Sequence, residues 1–574
     1  MVAAAFVVAM SGVLLANHFR VPSQDPLRSA TLTAAKDQLR AQPTDEAAVQ
    51  RIRDLDLDLR TRFFRHLDIN AQGGWLLLAG AVLFVLAAKA VAESRKAVPL
   101  PASKLPEDAP VAVSANLGRW AVAALGAGTA AILLLLALTT RTRVPSRTAD
   151  LERLQMSTAE VAATAGPTLE RVLANWPRFR GPRGDGVAVS TNLALTWNGA
   201  TGEGIRWKTP VPGLGFNSPV VWDNRVFVTS GDEKAREVFC FDADNGRLLW
   251  QKPLPPTPEL QGKKLEAPEL TGFAAATAAT DGQRVFAIFG TGELAAFDFT
   301  GKVVWSKFLG LPENLYGHST SLLVWQGKLI VQFDQGDAEA GKSRLFALDP
   351  GSGRVLWEQR RAVPSSWTTP IILDALKPQQ VVALGEPWVM AYDFANGREL
   401  WRVECLGTDL APSPVFAGGL LMAVSASKQV VAIRPDGSGD VTKTHLAWKY
   451  EDDIPDITSP VSNGELIWLL GTDGFLTCLE VKTGAKVWAK ALDQDFNASP
   501  TLVGRQLLLF NTKGVALAVA AERSFQELGR AELGEGVHAS PALVGERLYV
   551  RGVTNLFCLG PGPAGNAAMA PRKP

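Results

Sequence analysis

The chain has 574 residues, with 58 basic and 57 acidic side chains and a formal net charge of +1. That balance gives no electrostatic case for a nucleic-acid partner, which would want a basic face. Its four cysteines, Cys240, Cys405, Cys478 and Cys558, contain no CxxC pair, so neither a zinc site nor a dithiol redox motif is expected.

Three apolar stretches occupy the first quarter. Residues 1–17 carry no charged side chain and are expected to form a transmembrane helix or an uncleaved signal anchor, because a basic leader region is missing. Residues 18–72 read as an extracytoplasmic helical hairpin. Asp25-Pro26 suits a helix start, Thr44 caps a second helix, and Ile52, Leu55, Leu59 and Phe63 form one apolar stripe. Residues 73–92 are a second expected span, with Lys89 able to snorkel near its end. Residues 93–119 form a short basic loop, holding Arg95, Lys96, Lys104 and Arg119, that is expected to be cytoplasmic. Residues 120–140 hold no charge over 21 positions and make the clearest span. This topology predicts a bacterial cytoplasmic (inner) membrane protein, with a linker over 141–175 and everything after it on the extracytoplasmic side.

From Trp176 the pattern changes to short apolar runs separated by turn signals. "FDADNGRLLW" (241–250) returns as "LDPGSGRVLW" (348–357) and "YDFANGRELW" (392–401), and more loosely as "FDFTGKVVW" and "LEVKTGAKVW". A second landmark is a Ser-Pro or Thr-Pro step before an apolar strand, at Ser218, Thr369, Ser413, Ser459, Ser499 and Ser540. Each unit reads as four antiparallel strands, the size of a propeller blade. In the repeated stretch the acidic residue can bond turn N–H groups, and Gly supplies a positive φ. The Trp fills the seam between blades. The expected docking residues are Trp207, Trp250, Trp305, Trp357, Trp401, Trp448 and Trp488, with Gly246, Gly353, Gly397 and Gly484 in the turns. Cys240, Cys478 and Cys558 share a repeat position and are read as small buried hydrophobes.

Units begin near residues 218, 273, 318, 367, 411, 457, 497 and 538. The fold class is therefore all-β, an eight-bladed β-propeller over 176–560 with an N-terminal α-helical membrane region. A seven-bladed ring is the alternative. In the seventh unit Phe525 stands where Trp is expected. The eighth unit ends after its third strand, at residues 556–560. "IRWKTPVPG" (205–213) has the form to complete it, with Trp207 in the docking position. Residues 561–574 are expected to be a disordered tail.

The Asp-x-x-x-Gly-x-x-x-Trp spacing resembles the tryptophan-docking repeat of pyrroloquinoline-quinone (PQQ) type propellers, and "WPRFRGPRGDGV" (176–187) resembles their opening segment. The resemblance implies the fold over roughly 176–560. It implies either a quinoprotein dehydrogenase or a cofactor-free scaffold, such as the outer-membrane-protein assembly lipoprotein. A dehydrogenase of this family needs calcium ligands and a carboxylate base, and its alcohol-oxidising branch a vicinal disulfide. No acidic residue falls in a matching motif, and no Cys-Cys pair occurs.

The expected function is therefore a protein-binding scaffold or assembly module of the bacterial envelope, with other envelope proteins as partners and no PQQ or calcium. A membrane quinoprotein dehydrogenase and a sugar- or peptide-binding sensor are the alternatives. The expected ligand rim comprises Phe216, His318, Trp367, Asn497 and His538, which stand just before the innermost strands, near the channel mouth. The acidic run at 451–456 reads as a solvated loop rather than a calcium site, 333–341 as a hairpin extension, and 258–270 as an insertion forming a lid or contact surface.

Overall fold

The computed structural model describes residues 166–190 and 195–561, with scattered helical positions between Phe6 and Ala87. The chain divides into two compact units, Met1–Glu160 and Val161–Pro574. In the first, positions such as Leu55, Leu59, Leu76 and Leu83 are helical. No helix among the described residues is long and apolar enough to cross a membrane. The expected spans and hairpin otherwise lie outside the described residues, as do the 93–119 loop, the linker up to 165 and the tail beyond 561.

The second unit holds eight sheets of at least four strands each, a β-propeller. Blades 1 to 8 have their innermost strands at Val220–Trp222, Ala279–Thr280, Leu323–Trp325, Ile371–Leu373, Val415–Ala417, Val461–Ser462, Thr501–Val503 and Ala542–Val544. Within each blade the strands run antiparallel outward, so buried second and third strands such as Arg225–Gly231 and Arg236–Asp242 carry the core. The ring closes as its sequence pattern requires. Ile205–Pro210 pairs antiparallel with Asn555–Leu559 and becomes the outer strand of blade 8. A closed ring leaves no free inner sheet edge to template aggregation.

Two short strands join existing sheets in parallel. Val187–Ala188 lies along the innermost strand of blade 7. Gly439–Asp440 lies along the outer strand of blade 4. The segment before the ring packs beneath it. A short helix, Leu169–Leu173, is capped by Thr168. Arg171 pairs with Asp223 at 2.8 Å, and Trp176 exchanges backbone hydrogen bonds with Val221. Further along, the Thr280 N–H donates to Pro177, Arg178 donates to the Val324 carbonyl, and Arg180 donates to the Pro460 carbonyl. This segment thus ties blades 1, 2, 3 and 6 to blade 7.

The seams between blades share one geometry. Trp207, Trp250, Trp305, Trp357, Trp448 and Trp488 each donate their indole N–H to a backbone carbonyl of the next blade, at 2.8–3.2 Å. Trp401 differs: it donates to Gln380 Oε1, and the Gln380 amide donates in turn to the Pro435 carbonyl of blade 5. In the turns, Asp242, Asp298, Asp349 and Asp393 accept backbone N–H groups with their carboxylates.

The seventh seam corrects the sequence reading. Registered strand pairing puts Gly529, not Phe525, at the Trp position, because Ala518 opposes Gly529 as Cys240 opposes Trp250. Phe525 instead lies edge-on to Trp488, with ring centroids 5.6 Å apart. Trp197, from the strap bridged to Glu532, stacks on Phe510 and is buried in the core shared by blades 7, 8 and 1. The turn of blade 7 departs from the repeat, so counting along the chain misplaced the equivalent residue.

Candidate functional site

The connectors from each outer strand to the next inner strand form one face of the ring. A belt of hydroxyl groups anchors them. The Ser218 N–H donates to Thr277 Oγ1, and the links continue through Ser321, Thr369, Ser413, Ser459 and Ser499 to Ser540. All are 2.9–3.1 Å long, and every belt residue is buried. The Ser-Pro and Thr-Pro steps mark six belt members. Thr277 and Ser321 lack the following proline and were invisible to that pattern.

The belt fixes the register of the connectors. Two positions before each belt residue stand Phe216, Ala275, Ser319, Trp367, Ala411, Ile457, Asn497 and His538. All are half-buried or exposed. Three positions before stand Gly215, Ala274, His318, Ser366, Leu410, Asp456, Phe496 and Val537, and all but Asp456 are buried. His318 therefore belongs to the inward set, one residue out of phase with the other four expected rim residues. It stacks on Phe333 at 5.2 Å, and burial pushes its pKa down to about 4.

The remaining four fall in two groups. Phe216 meets His538 edge-on at 5.5 Å, and the Asn497 amide lies 3.0 Å from His538 Nδ1. With the amide donating, the neutral ring carries its proton on Nε2. Partial burial lowers the His538 pKa and favours that neutral form. Trp367 sits apart, edge-on to Tyr316 at 4.8 Å, and donates its indole N–H to Asn314 Oδ1 at 2.7 Å. The connectors that carry Tyr316 and Thr271 expose aliphatic side chains: Leu315 is 77% exposed, Leu270 is 70% exposed, and Leu311 is exposed as well. The 258–270 insertion packs beside this group, and next to it Thr271 Oγ1 donates to the Tyr316 carbonyl. Sequence reasoning missed Leu270, Leu311, Leu315 and Tyr316, because loop leucines carry no pattern until neighbouring connectors meet.

Among the described residues no group of three or more His, Cys, Asp or Glu is placed to hold a metal ion. Asp456 is engaged by Thr472, and Asp452 by Lys486. Asp334, at the start of the 333–341 run, is buried. It forms a fully buried pair with Arg361 at 2.9 Å and accepts from Gln332 and Ser366. The four cysteines are free and buried, and loss of solvent pushes each thiol up to about 12.

Eight four-stranded blades, tryptophan-docked seams and a ring closed by an N-terminal strand define a PQQ-like β-propeller. The family described as outer membrane protein assembly factor BamB matches residues 160–315, 234–490 and 341–560. These overlapping matches cover most of the chain, which belongs to that family. An outer membrane protein assembly factor BamB of Bordetella pertussis is 23% identical over 370 residues, 63% of this chain and 75% of the relative. One from Alkalilimnicola ehrlichii is 26% identical over 221 residues, 37% of this chain and 53% of the relative. The chain thus spans about three quarters of one relative and half of the other. Among solved structures, the quinohemoprotein alcohol dehydrogenase of Comamonas testosteroni superposes with a TM-score of 0.51. It is 14% identical and covers 70% of this chain and 85% of its own, a likeness of fold alone.

The expected cytoplasmic-membrane location is corrected by these findings. The relatives are named as outer membrane protein assembly factors. The expectation rested on the length of apolar stretches, which is a condition for spanning a bilayer and says nothing of which membrane a protein serves.

Proposed function

We propose that this chain is a protein-binding scaffold in the assembly of outer-membrane proteins, and that it docks other assembly proteins on its connector face. Family membership across residues 160–560 carries the reading. The surface chemistry supports it. The connector leading to the Tyr316–Trp367 pair exposes Leu311 and Leu315, the neighbouring connector exposes Leu270, and Asn314 accepts from Trp367. Exposed aliphatic and aromatic groups with a polar margin are what a buried protein contact needs.

The test is complementation of a bacterium that lacks its own factor of this family, with folded outer-membrane β-barrel protein as the readout. The wild-type chain is expected to restore it. A triple variant, L270D/L311D/L315D, is expected to fold with unchanged Tm and to fail. Failure of the wild-type chain overturns the assembly reading, and full restoration by the variant moves docking to another face. Titration with PQQ and calcium separates the dehydrogenase alternative. A calcium-dependent rise in Tm together with dye-linked alcohol oxidation would replace the scaffold reading.

A further inference from the structure

Four arginines among the described residues are buried to 4% exposure or less: Arg178, Arg180, Arg361 and Arg551. Three have a carboxylate acting on their charge. Asp185 and Asp374 act on Arg178, Asp185 acts on Arg180, and Asp334 pairs with Arg361. Arg551 makes no ion pair among the described residues. Only burial acts on its basicity, pulling its pKa down to about 9, so the guanidinium remains charged at neutral pH. An uncompensated buried charge is among the most unfavourable features a fold can contain.

Arg551 is the last residue of the strand Arg547–Arg551 in blade 8, and its side chain crosses the seam to blade 1. NH1 donates to Asn217 Oδ1 at 3.2 Å and to the Thr229 carbonyl. Nε and NH2 are buried and have no partner among the described residues, and the same holds for the Thr229 hydroxyl. Nε and NH2 together form the guanidinium edge that a carboxylate takes as a bidentate pair. Gly215 lies against NH2: a Cβ built there would stand 2.7 Å away.

The seam between blades 3 and 4 is an internal control. Gln332 and Arg551 are each the fifth residue of their blade's second strand. The Gln332 amide donates to Thr368 Oγ1 and the Leu384 carbonyl, as Arg551 does to Asn217 and Thr229. Two residues beyond Gln332, Asp334 supplies the carboxylate that balances Arg361. Two residues beyond Arg551 stands Val553, which supplies none.

We propose that Arg551 binds a small monoanion, a halide or the carboxylate of a small ligand, on its Nε–NH2 edge beside Gly215 and the Thr229 hydroxyl. The anion completes the seam where the ring closes, and it stands independently of the scaffold reading.

The full-length protein is melted at fixed ionic strength while gluconate is replaced stepwise by chloride, bromide or formate. The Tm is expected to rise saturably by about 2–4 °C with at least one of the small anions. A halide response assigns a free ion, and a response to formate alone assigns a ligand carboxylate. R551M is expected to lose the response. Because that variant removes a buried side chain and can fail to fold, wild-type crystals soaked in bromide or formate give a second readout. Bromide anomalous density, or a refined formate, is expected within about 3.5 Å of Nε and NH2. No anion-dependent shift, equal shifts in wild type and R551M, or only water at that edge would overturn the proposal.

Discussion

Gly397 of blade 4 lies flat against the indole of Trp357 in blade 3. A Cβ on Gly397 would stand 2.5 Å from Trp357 Cε3, and its φ is +77°. Gly246 meets Trp207, Gly301 meets Trp250, Gly353 meets Trp305 and Gly484 meets Trp448 in the same way. The glycine and the tryptophan of one repeated stretch therefore do not touch each other. They are halves of successive seams, and each stretch receives the indole of the blade before it and offers its own to the blade after.

Gly397→Ala is expected to destabilise the propeller by about 2–3 kcal/mol, combining a strained positive φ with displacement of Trp357. Gly419 also has a positive φ, yet a Cβ there meets nothing within 4 Å. Gly419→Ala isolates the backbone component and should cost about 1 kcal/mol. Urea unfolding of both variants checks the difference, and equal losses would refute the packing contribution.

The fourth seam depends on an amide relay. Gln380 accepts from Trp401 and donates to Pro435. Gln380→Leu keeps the volume but strands a buried indole N–H, and should cost about 1–3 kcal/mol. The part of the loss owed to the indole should vanish in the Trp401→Phe background, because that donor is then gone, while the part owed to the Pro435 carbonyl remains. A double-mutant cycle read by chemical denaturation measures it.

Ser413 Oγ accepts the Thr369 N–H across the belt at 3.0 Å. Ser413→Ala leaves that buried donor unpaired, at about 1–3 kcal/mol. Ser413→Thr retains the acceptor and should lose less. Amide hydrogen exchange at Thr369 reports the bond directly, and unchanged protection in Ser413→Ala would exclude a role for the belt.

His318 is held neutral by burial, its pKa lowered from 6.5 to about 4. Below pH 6.5 the unfolded chain protonates this residue while the folded chain does not. Stability is therefore lost as pH falls from 6.5 towards 4, and the contribution levels off below that. The full window is worth about 3 kcal/mol. His318→Phe preserves a ring beside Phe333 and should remove this part of the acid sensitivity. Parallel pH profiles of unfolding free energy for wild type and variant would show it, and superimposable profiles would refute it.

The sequence alone determined the architecture. Repeats in phase at turn, glycine and tryptophan impose a blade on each unit, because each position answers a local backbone or packing need. The unfinished last unit and the spare strand at 205–213 likewise announced ring closure. Tertiary structure alone decided how the parts meet. It set His318 inward rather than on the rim, since one residue of phase in an extended connector turns a side chain to the opposite side. It put Gly529 at the seventh seam, brought Tyr316 and Asn314 against Trp367, and buried Asp334 with Arg361 but Arg551 without a carboxylate. Those outcomes depend on side chains far apart along the chain converging across a seam, where neither local propensity nor periodicity carries information.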